Sequence, residues 1–235
     1  MRRFIERVTG YWLYKSRYLP IGADFRVDLE RLDFTPRVIF DVGANVGQTY
    51  RRFRHDFPKA RIYCFEPAAA SYAELSRLLS HDSLAVAIRL AFGREAGEAV
   101  MHTHPEWNVL NTLRPELATS QDSELVPVST IDEYGIEPID LLKIDTEGFE
   151  IPVLEGAADA LSRGVIRAVL AEVGFGRANQ RNTYFGDVAE LLSKSEHVFH
   201  GLYDVTHYAD GKQGSFANAL FLHRSVVSGV STTWA

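Results

Sequence analysis

The residues best suited to bind a ligand lie in a turn between a predicted strand and a predicted helix. The apolar run Val38-Ile39-Phe40 leads into Asp41-Val42-Gly43-Ala44-Asn45-Val46-Gly47. Glycines in such a turn let the backbone approach a ligand closely, and the following helix presents free N–H groups. Asn45 holds the intermediate position, where a dinucleotide fingerprint has glycine, and Asn tolerates left-handed backbone. The pattern favours a nucleotide-like ligand, with a tight turn that binds nothing as the alternative.

Glu66 ends the second predicted strand, in Phe65-Glu66-Pro67. A carboxylate at that point can accept two hydrogen bonds from the vicinal hydroxyls of a ribose. NAD and S-adenosylmethionine both contain ribose, but only NAD contains a pyrophosphate. Since the three-glycine pattern that cradles pyrophosphate is missing, the turn and Glu66 together favour the ligand without phosphates.

A third group, Lys143, Asp145 and Glu147, lies in or directly after a buried strand predicted over residues 139–145. Lys143 and Asp145 project from the same face of that strand. Burying several charges costs free energy unless they pair or bind something. Two interpretations stay open: a structural lysine–carboxylate network, or Asp145 or Glu147 beside the cofactor's sulfonium or the acceptor's hydroxyl.

Five side chains have residue types suited to proton transfer and are candidates for a general base. His102 and His104 share a face if their segment is a strand. Asp145, Glu147 and Glu172 are the others, and a general base among the five would assist attack by a hydroxyl. Asp145 has the most suitable location, whereas the histidines have the more suitable unperturbed pKa. The sequence shows no cluster of oxygen ligands, so no metal is predicted.

The composition bounds the class of protein. The chain has 235 residues, 46% of them hydrophobic, which is enough for one large core. A net charge of −6 repels a phosphate backbone, so nucleic acid is not expected as a partner. The single cysteine, Cys64, excludes an internal disulfide and fits a reducing cytosol, so we predict a cytoplasmic protein.

Residues 1–20 interleave charges with aromatic side chains, without the continuous apolar stretch of a signal peptide or a membrane span. Phe4, Val8 and Trp12 have helical spacing, and basic residues surround them. We predict an amphipathic helix that caps the core. Weak docking of this helix on an anionic membrane surface, or on a partner, is the alternative.

A β–α alternation begins near residue 37 and predicts a parallel sheet. The predicted strands cover residues 37–42, 61–66, 85–91, 139–145 and 166–173, with a hairpin-like pair at 97–104 and 125–129. The predicted helices cover residues 46–57, 69–80, 150–162 and 184–194. Residues 198–203 and 215–223, joined by the turn-rich stretch 209–214, predict a closing antiparallel hairpin. The predicted fold class is therefore α/β, a doubly wound, mostly parallel sheet with an antiparallel C-terminal edge hairpin.

We predict one sheet domain over residues 37–224, a helical appendage or cap over residues 1–36, and a tail over residues 225–235. Ligands of such sheets bind outside the carboxyl ends of the strands, near the point where strand order reverses. The polar groups described above follow predicted strand ends, as this rule requires.

Several stretches together resemble the FkbM family of class I methyltransferases. They are residues 40–49, 65–67, 90–93, 139–150, 153–157 and 216–221, within a span of about residues 20–224. The first turn in combination with Lys143-Ile144-Asp145-Thr146-Glu147-Gly148 is highly specific. One departure is Thr146, where the family commonly has Val or another apolar residue.

The resemblance implies a Rossmann-like sheet of seven strands, S-adenosyl-L-methionine as methyl donor and S-adenosyl-L-homocysteine as product. It also implies direct in-line transfer to a hydroxyl on a sugar, glycan or secondary metabolite. Asp145 would lie near the cofactor. By position, the other cofactor-binding residues would be Asp41, Gly43, Asn45 and Gly47 at the amino-acid half, Glu66 at the ribose, and Ala91 and Phe92 at the adenine.

Two other functions fit parts of the pattern. A nicotinamide-dependent oxidoreductase would use the turn and Glu66, and a non-catalytic module would bind the cofactor or a protein partner without turnover. The sequence predicts neither the acceptor nor the oligomeric state.

Overall fold

The computed structural model describes residues 7–10, 15, 18–104, 106, 108, 111–177, 181–207 and 215–227. Phe4, Trp12 and the predicted turn at 209–214 lie outside this part of the chain. Within it, residues 7–9 are helical and the side chain of Val8 is exposed. Val8 therefore does not pack on the described core.

Strands and helices alternate as the sequence predicts. The strands of the described chain are β1 (Val38–Val42), β2 (Arg61–Phe65), β3 (Ala85–Ile88), β4 (Ala91–Phe92), β5 (Gly97–His102), β6 (Ser123–Ser129), β7 (Leu141–Ile144), β8 (Ala168–Gly174), β9 (His197–His207) and β10 (Ser215–His223). After residue 20, the α-helices of the described chain are α1 (Phe25–Glu30), α2 (Gln48–Asp56), α3 (Ala69–Leu79), α4 (Ile131–Tyr134), α5 (Glu150–Glu155), α6 (Ala158–Ser162), α7 (Phe185–Ser193) and α8 (Arg224–Val227). A 3-10 helix spans Pro115–Leu117.

The described residues form a seven-stranded sheet in the order β3-β2-β1-β7-β8-β10-β9. β1 pairs in parallel with β2 on one side and with β7 on the other, so strand order reverses between β1 and β7. β10 runs antiparallel to both of its neighbours, β8 and β9. The predicted fold class, a mostly parallel sheet with an antiparallel hairpin at one edge, is confirmed.

Helices cover both faces of this sheet. One buried cluster joins alternate residues of the central strands to α5, α6 and α7, and the other joins the intervening residues to α1, α2, α3 and α8. All four residues of β7 are buried, which is why its sequence is a continuous run rather than an alternating one. Lys143 is the one charged member of that run, and it lies on the face covered by α2 and α3.

A second sheet of the described chain has the order β4-β6-β5. β5 and β6 form the predicted antiparallel pair, and Gly97 lies opposite Val128. β4 joins β6 in parallel through Ala91 and Phe92. The prediction that residues 85–91 form one strand was therefore wrong at its end: β3 stops at Ile88, and the chain changes sheets.

The prediction of one helix over residues 150–162 was also wrong, since α5 ends at Glu155 and α6 begins at Ala158. A Cβ placed on Gly156 would lie 2.0 Å from the carbonyl oxygen of Gly93, so the backbone at this break packs directly against the backbone beside β4. The carboxylate of Asp132 accepts hydrogen bonds from the N–H groups of Asp159 and Ala160 and so caps α6 separately.

Candidate active site

A cavity of about 270 Å³ opens where the carboxyl ends of β1, β2 and β7 meet. This is the point of strand-order reversal, where open α/β sheets bind their ligands. The cavity's floor and walls come from the turns after those three strands and from β4, and its roof comes from β5 and the loop that follows it. The lining residues are Val42, Gly43, Ala44, Asn45, Gln48, Thr49, Glu66, Pro67, Leu90, Ala91, Phe92, Met101, Asn108, Asn111, Leu113, Lys143, Asp145, Thr146, Glu147 and Phe149.

The turn after β1 requires its two glycines for packing. Gly43 has a φ of 79°, and a Cβ there would lie 1.8 Å from the carbonyl oxygen of Asp145. Gly47 has a φ of 90°, and its Cβ would lie 2.5 Å from the Leu78 side chain. Asn45 adopts the left-handed conformation with a φ of 48°, as its residue type allows. Gly43 and Asn45 line the cavity, whereas Gly47 lies outside its lining and seats the turn on α3.

Glu66 is fixed at the cavity by the backbone. Its two carboxylate oxygens accept hydrogen bonds of 2.9 Å from the N–H groups of Asn45 and Ala68, and only 6% of the residue is exposed. Burial raises the pKa of Glu66 to about 7, although these two N–H groups favour the ionised form. The sequence placed an acidic group at this strand end, and the structure orients it.

Asp41 lies beneath the turn and is fully buried. Neither of its carboxylate oxygens, nor the Oδ1 atom of Asn45, has a hydrogen-bond partner among the described residues. The Lys143 ammonium is 3.8 Å from the carboxylate of Asp41. Burial raises the pKa of Asp41 to about 6 despite this cation. A buried acceptor without a donor costs free energy. Asp41 itself does not line the cavity, whereas Asn45 does, so of these acceptors only the Asn45 oxygen belongs to a residue of the cavity wall.

Lys143 links the two strands that flank the reversal point. Its ammonium donates a hydrogen bond of 2.8 Å to Asp145, which confirms that the two side chains share a face of β7. Burial alone lowers the pKa of Lys143, but Asp145 and Asp41 outweigh burial and the pKa is raised overall. Lys143 and Asp145 thus form the lysine–carboxylate pair that the sequence offered as one interpretation, and both residues also line the cavity.

The cavity wall formed by β4 is apolar. Ala91 and Phe92, both buried, lie in this wall. The roof residues Met101, Asn108, Asn111 and Leu113 were not predicted as site residues. The two amides were visible in the sequence, but nothing in their spacing showed that the segment after β5 folds over the turn after β1.

The profile of the Methyltransferase FkbM domain matches residues 41–200, well over half of the chain. The chain belongs to the FkbM methyltransferase family. The matched region includes the turn after β1, Glu66 and the whole segment from Lys143 to Glu150.

Two curated relatives illustrate the range of the similarity. Methyltransferase sdnD of Sordaria araneosa is 29% identical over 203 residues, which cover 72% of this chain and 76% of that protein. The 31-O-demethyl-FK506 methyltransferase FkbM of Streptomyces tacrolimicus is 30% identical over 170 residues, which cover 58% of this chain and 65% of that protein.

A solved structure confirms the fold. Methyltransferase FkbM from Methylobacillus flagellatus KT superposes with a TM-score of 0.55 and 16% sequence identity, covering 80% of this chain and 44% of that one. This chain therefore spans less than half of that protein. The shared region is the Rossmann-like methyltransferase sheet.

In this chain, some of the residues that the sequence predicted for the site lie in one cavity and others do not. Asp145 and Glu147 line the cavity at the reversal point, together with Gly43, Asn45 and Glu66. His102 and His104 do not: β5 ends at His102, and His104 lines a second cavity of about 320 Å³. Asn108 and Asn111 line both cavities.

The described part of the chain has neither a group of side chains arranged as a metal site nor a helix able to span a membrane. Across residues 18–104, 111–177 and the other described segments, no three His, Cys, Asp or Glu side chains are arranged to hold a metal ion. Over the same segments, no helix combines the length and the apolar character needed to cross a membrane.

Proposed function

We propose that this chain is an S-adenosyl-L-methionine-dependent O-methyltransferase that acts on a hydroxyl of a small-molecule or glycan acceptor. The carboxylate of Glu66, fixed by two N–H groups at the end of β2, carries this proposal. It stands at the reversal point of a methyltransferase sheet with lone pairs available to two ribose hydroxyls. Family membership supports the methyltransferase part independently.

The unpartnered acceptors fit the other end of the cofactor. The methionine half of S-adenosylmethionine carries an ammonium. The amide oxygen of Asn45, in the cavity wall, would accept one of its N–H groups, and the buried carboxylate of Asp41 beneath the turn would attract its charge. An ammonium would also offset the desolvation that raises the pKa of Asp41 to about 6. Between these ends, Ala91 and Phe92 offer an apolar wall to an adenine ring.

The chain's own part in the reaction is placement. Bound S-adenosylmethionine supplies a methyl group on a positively charged sulfur. The turn after β1 and Glu66 would fix the donor, and the residues around Asp145 would hold the acceptor oxygen in line with the bond that breaks. Asp145, Glu147, His102 and His104 stay our candidates for proton transfer, and the first two line the same cavity as Glu66.

A hydroxyl acceptor is supported by one relative and by the cavity wall. The name of the Streptomyces relative describes methylation of an O-demethyl natural product. In this chain, the amides of Asn108 and Asn111 and the apolar side chains of Leu113 and Phe149 line one cavity. Such a mixture suits a molecule with hydroxyls on a carbon skeleton, as sugars and polyketides both are.

Cofactor binding is tested by titration calorimetry with S-adenosylmethionine, S-adenosylhomocysteine and NADH. We expect the first two to bind and NADH not to bind. Glu66→Gln should weaken S-adenosylmethionine roughly 10- to 100-fold, since it removes charge-assisted hydrogen bonds to the ribose. Glu190→Gln on the exposed face of α7 is the matched control and should change nothing.

Failure of S-adenosylmethionine to bind the unaltered chain would refute the proposal, and tight binding of NADH would favour an oxidoreductase. Turnover is tested separately by incubating the enzyme and cofactor with sugar, glycan and natural-product hydroxyls and searching by mass spectrometry for the gain of one methyl group. Cofactor binding without S-adenosylhomocysteine formation with any acceptor would favour a non-catalytic module.

A further inference from the structure

The carboxyl ends of β7 and β8 carry a group of acidic side chains whose roles differ in the structure. Asp145 and Glu147 line the cavity at the reversal point, whereas Glu150 and Glu172 do not. A group near the cofactor's sulfur that can receive a proton would assist the proposed reaction. The contacts of each carboxyl decide which one it is.

Asp145 forms an ion pair with Lys143. The two charged atoms are 2.8 Å apart, and only 4% of the lysine side chain is exposed. Protonating Asp145 would break this ion pair and leave the buried ammonium with Asp41 at 3.8 Å as its remaining acidic contact among the described residues. A buried charge that loses its partner is strongly destabilising, so Asp145 is poorly suited to receive a proton.

Glu147 has a different environment. Its carboxylate is 3.5 Å from the Arg181 guanidinium, beyond direct hydrogen-bond distance, and 26% of its side chain is exposed. Burial first, and then the neighbouring Asp145, raise the pKa of Glu147 to about 8. Its backbone is left-handed, with a φ of 52°, which is costly for a residue with a side chain. Such strain persists only where surrounding contacts enforce it.

Glu150 provides those contacts. One of its carboxylate oxygens accepts hydrogen bonds from the N–H and hydroxyl of Thr146, at 2.8 and 3.0 Å, and a longer one of 3.4 Å from the Gly148 N–H. Its other oxygen accepts a hydrogen bond from the Thr183 hydroxyl. Glu150 is 1% exposed. It therefore holds the residues on both sides of Glu147 and ties them to the loop after β8.

We propose that Glu147 accepts the proton of the acceptor hydroxyl, that Glu150 is its positioning residue, and that Asp145, paired with Lys143, serves as the fixed anion beside the sulfonium. This assignment rests on the proposed function. In the step, the hydroxyl O–H bond breaks and its proton passes to Glu147 as the oxygen forms a bond to the methyl carbon. The carbon–sulfur bond breaks, and its electron pair stays on sulfur, which becomes a neutral thioether.

The charges around Glu147 predict a measurable linkage between its proton and the cofactor. Groups from four elements face it: Lys143 and Asp145 on and after β7, Glu150 on α5, Glu172 on β8 and Arg181 in the loop after β8. A sulfonium beside Glu147 favours its ionised form, whereas the neutral thioether of the product does not. At pH 7, S-adenosylmethionine should therefore release up to about one proton more than S-adenosylhomocysteine.

Titration calorimetry in two buffers of different ionisation enthalpy measures this difference. Both cofactor forms share the ribose and amino-acid contacts, so protons released from Glu66 or Asp41 cancel. In Glu147→Gln we expect S-adenosylmethionine to bind and the difference in protons to fall to near zero. Glu190→Gln should keep the full difference.

Two variants of Glu150 test whether it positions Glu147 or only stabilises the fold. Glu150→Gln keeps an acceptor for Thr146 and should keep the proton difference, whereas Glu150→Ala should lose it while still binding S-adenosylhomocysteine. Glu172→Gln removes a neighbouring carboxyl whose pKa burial also raises, to about 9, and should leave the difference in place.

The outcomes are distinct. If the unaltered chain does not bind S-adenosylmethionine, the proposed function fails first. If it binds but Glu147→Gln keeps the proton difference, or Glu172→Gln abolishes it, the assignment of Glu147 is wrong. With an acceptor found by the mass screen, Glu147→Gln should lower kcat roughly 10²- to 10⁴-fold with little change in KM for the cofactor.

Discussion

Gly43 makes the contact between the two strands of the reversal point on which the site depends. The absence of a side chain lets the turn after β1 lie against the carbonyl oxygen of Asp145. Asp145 in turn holds Lys143, and Lys143 approaches Asp41. Because Gly43 has no Cβ, the turn after β1 lies close to the acidic residues after β7. The turn would hold the methyl donor and the acids would serve the acceptor, so both belong to one site.

Gly43→Ala should destabilise the chain by about 2–5 kcal/mol, because it adds a steric clash to an unfavourable φ. Gly135→Ala is the matched control: Gly135 also has a positive φ, 72°, but its Cβ would meet nothing closer than 3.7 Å. That variant should lose only about 1–2 kcal/mol. Chemical denaturation of both variants measures the difference, and equal losses would show that the contact with Asp145 is unimportant.

Sequence reasoning about individual residues succeeded where a residue type has few uses. A carboxylate at a strand end, as in Glu66, and a lysine in an apolar run, as in Lys143, both line the cavity. It named residues 102–121 among the loops that would build an acceptor pocket, but it did not single out Asn108 and Asn111, since an amide in a loop is common and its placement depends on how the loop folds back. It could not separate Asp145 from Glu147 either, because their difference lies in an ion pair and a φ angle.

At the scale of elements, buried apolar runs predicted the central strands well, and β1, β2 and β7 lie where the sequence placed them. The sequence misplaced two element boundaries because contacts between distant parts of the chain determine them. β3 stops at Ile88 because the chain crosses to the second sheet, and the helix after β7 breaks at Gly156. Glycine alone does not reveal such a break, since glycine within a helix is tolerated at modest cost.

The break at Gly156 makes a testable contact between elements. Gly156→Ala should destabilise the chain by about 1–3 kcal/mol, because a Cβ there would overlap the Gly93 carbonyl and push α5 from β4. Gly176→Ala, where a Cβ meets nothing within 4 Å, should be close to neutral and controls for the added methyl group. Thermal unfolding followed by circular dichroism compares them. A neutral Gly156→Ala would mean that α5 and β4 are not rigidly packed.

At the scale of the whole molecule, the acids of the site set the dependence of stability on pH. Burial raises the pKa values of Asp41, Glu66, Glu147 and Glu172 to about 6, 7, 8 and 9. In the unfolded chain these groups lose their protons near pH 4. Between pH 4 and 9 the folded state therefore binds more protons, so its stability is greatest at the acidic end of this range and falls as pH rises.

We expect the Tm of the cofactor-free protein to decrease steadily between pH 5 and pH 9. Glu172→Gln removes the most strongly shifted of these groups and should flatten the upper part of the curve, whereas Glu190→Gln should not. Scanning calorimetry across this pH range measures the Tm of the unaltered protein and of both variants. A Tm that rises with pH would contradict the raised pKa values.

The position of β10 has a consequence for how the protein is made. β10 follows every other strand of the described sheet in the chain, yet it lies between β8 and β9. As the ribosome delivers the sequence, β8 emerges with one edge uncovered, and β9 has no strand to pair with until residues 215–223 arrive. A nascent or truncated chain that stops before residue 215 exposes unpaired N–H and C=O groups along β8. Such an edge can pair with another chain and so promotes aggregation. The strand that carries Glu172 is thus paired along its second edge only after residues 215–223 have emerged.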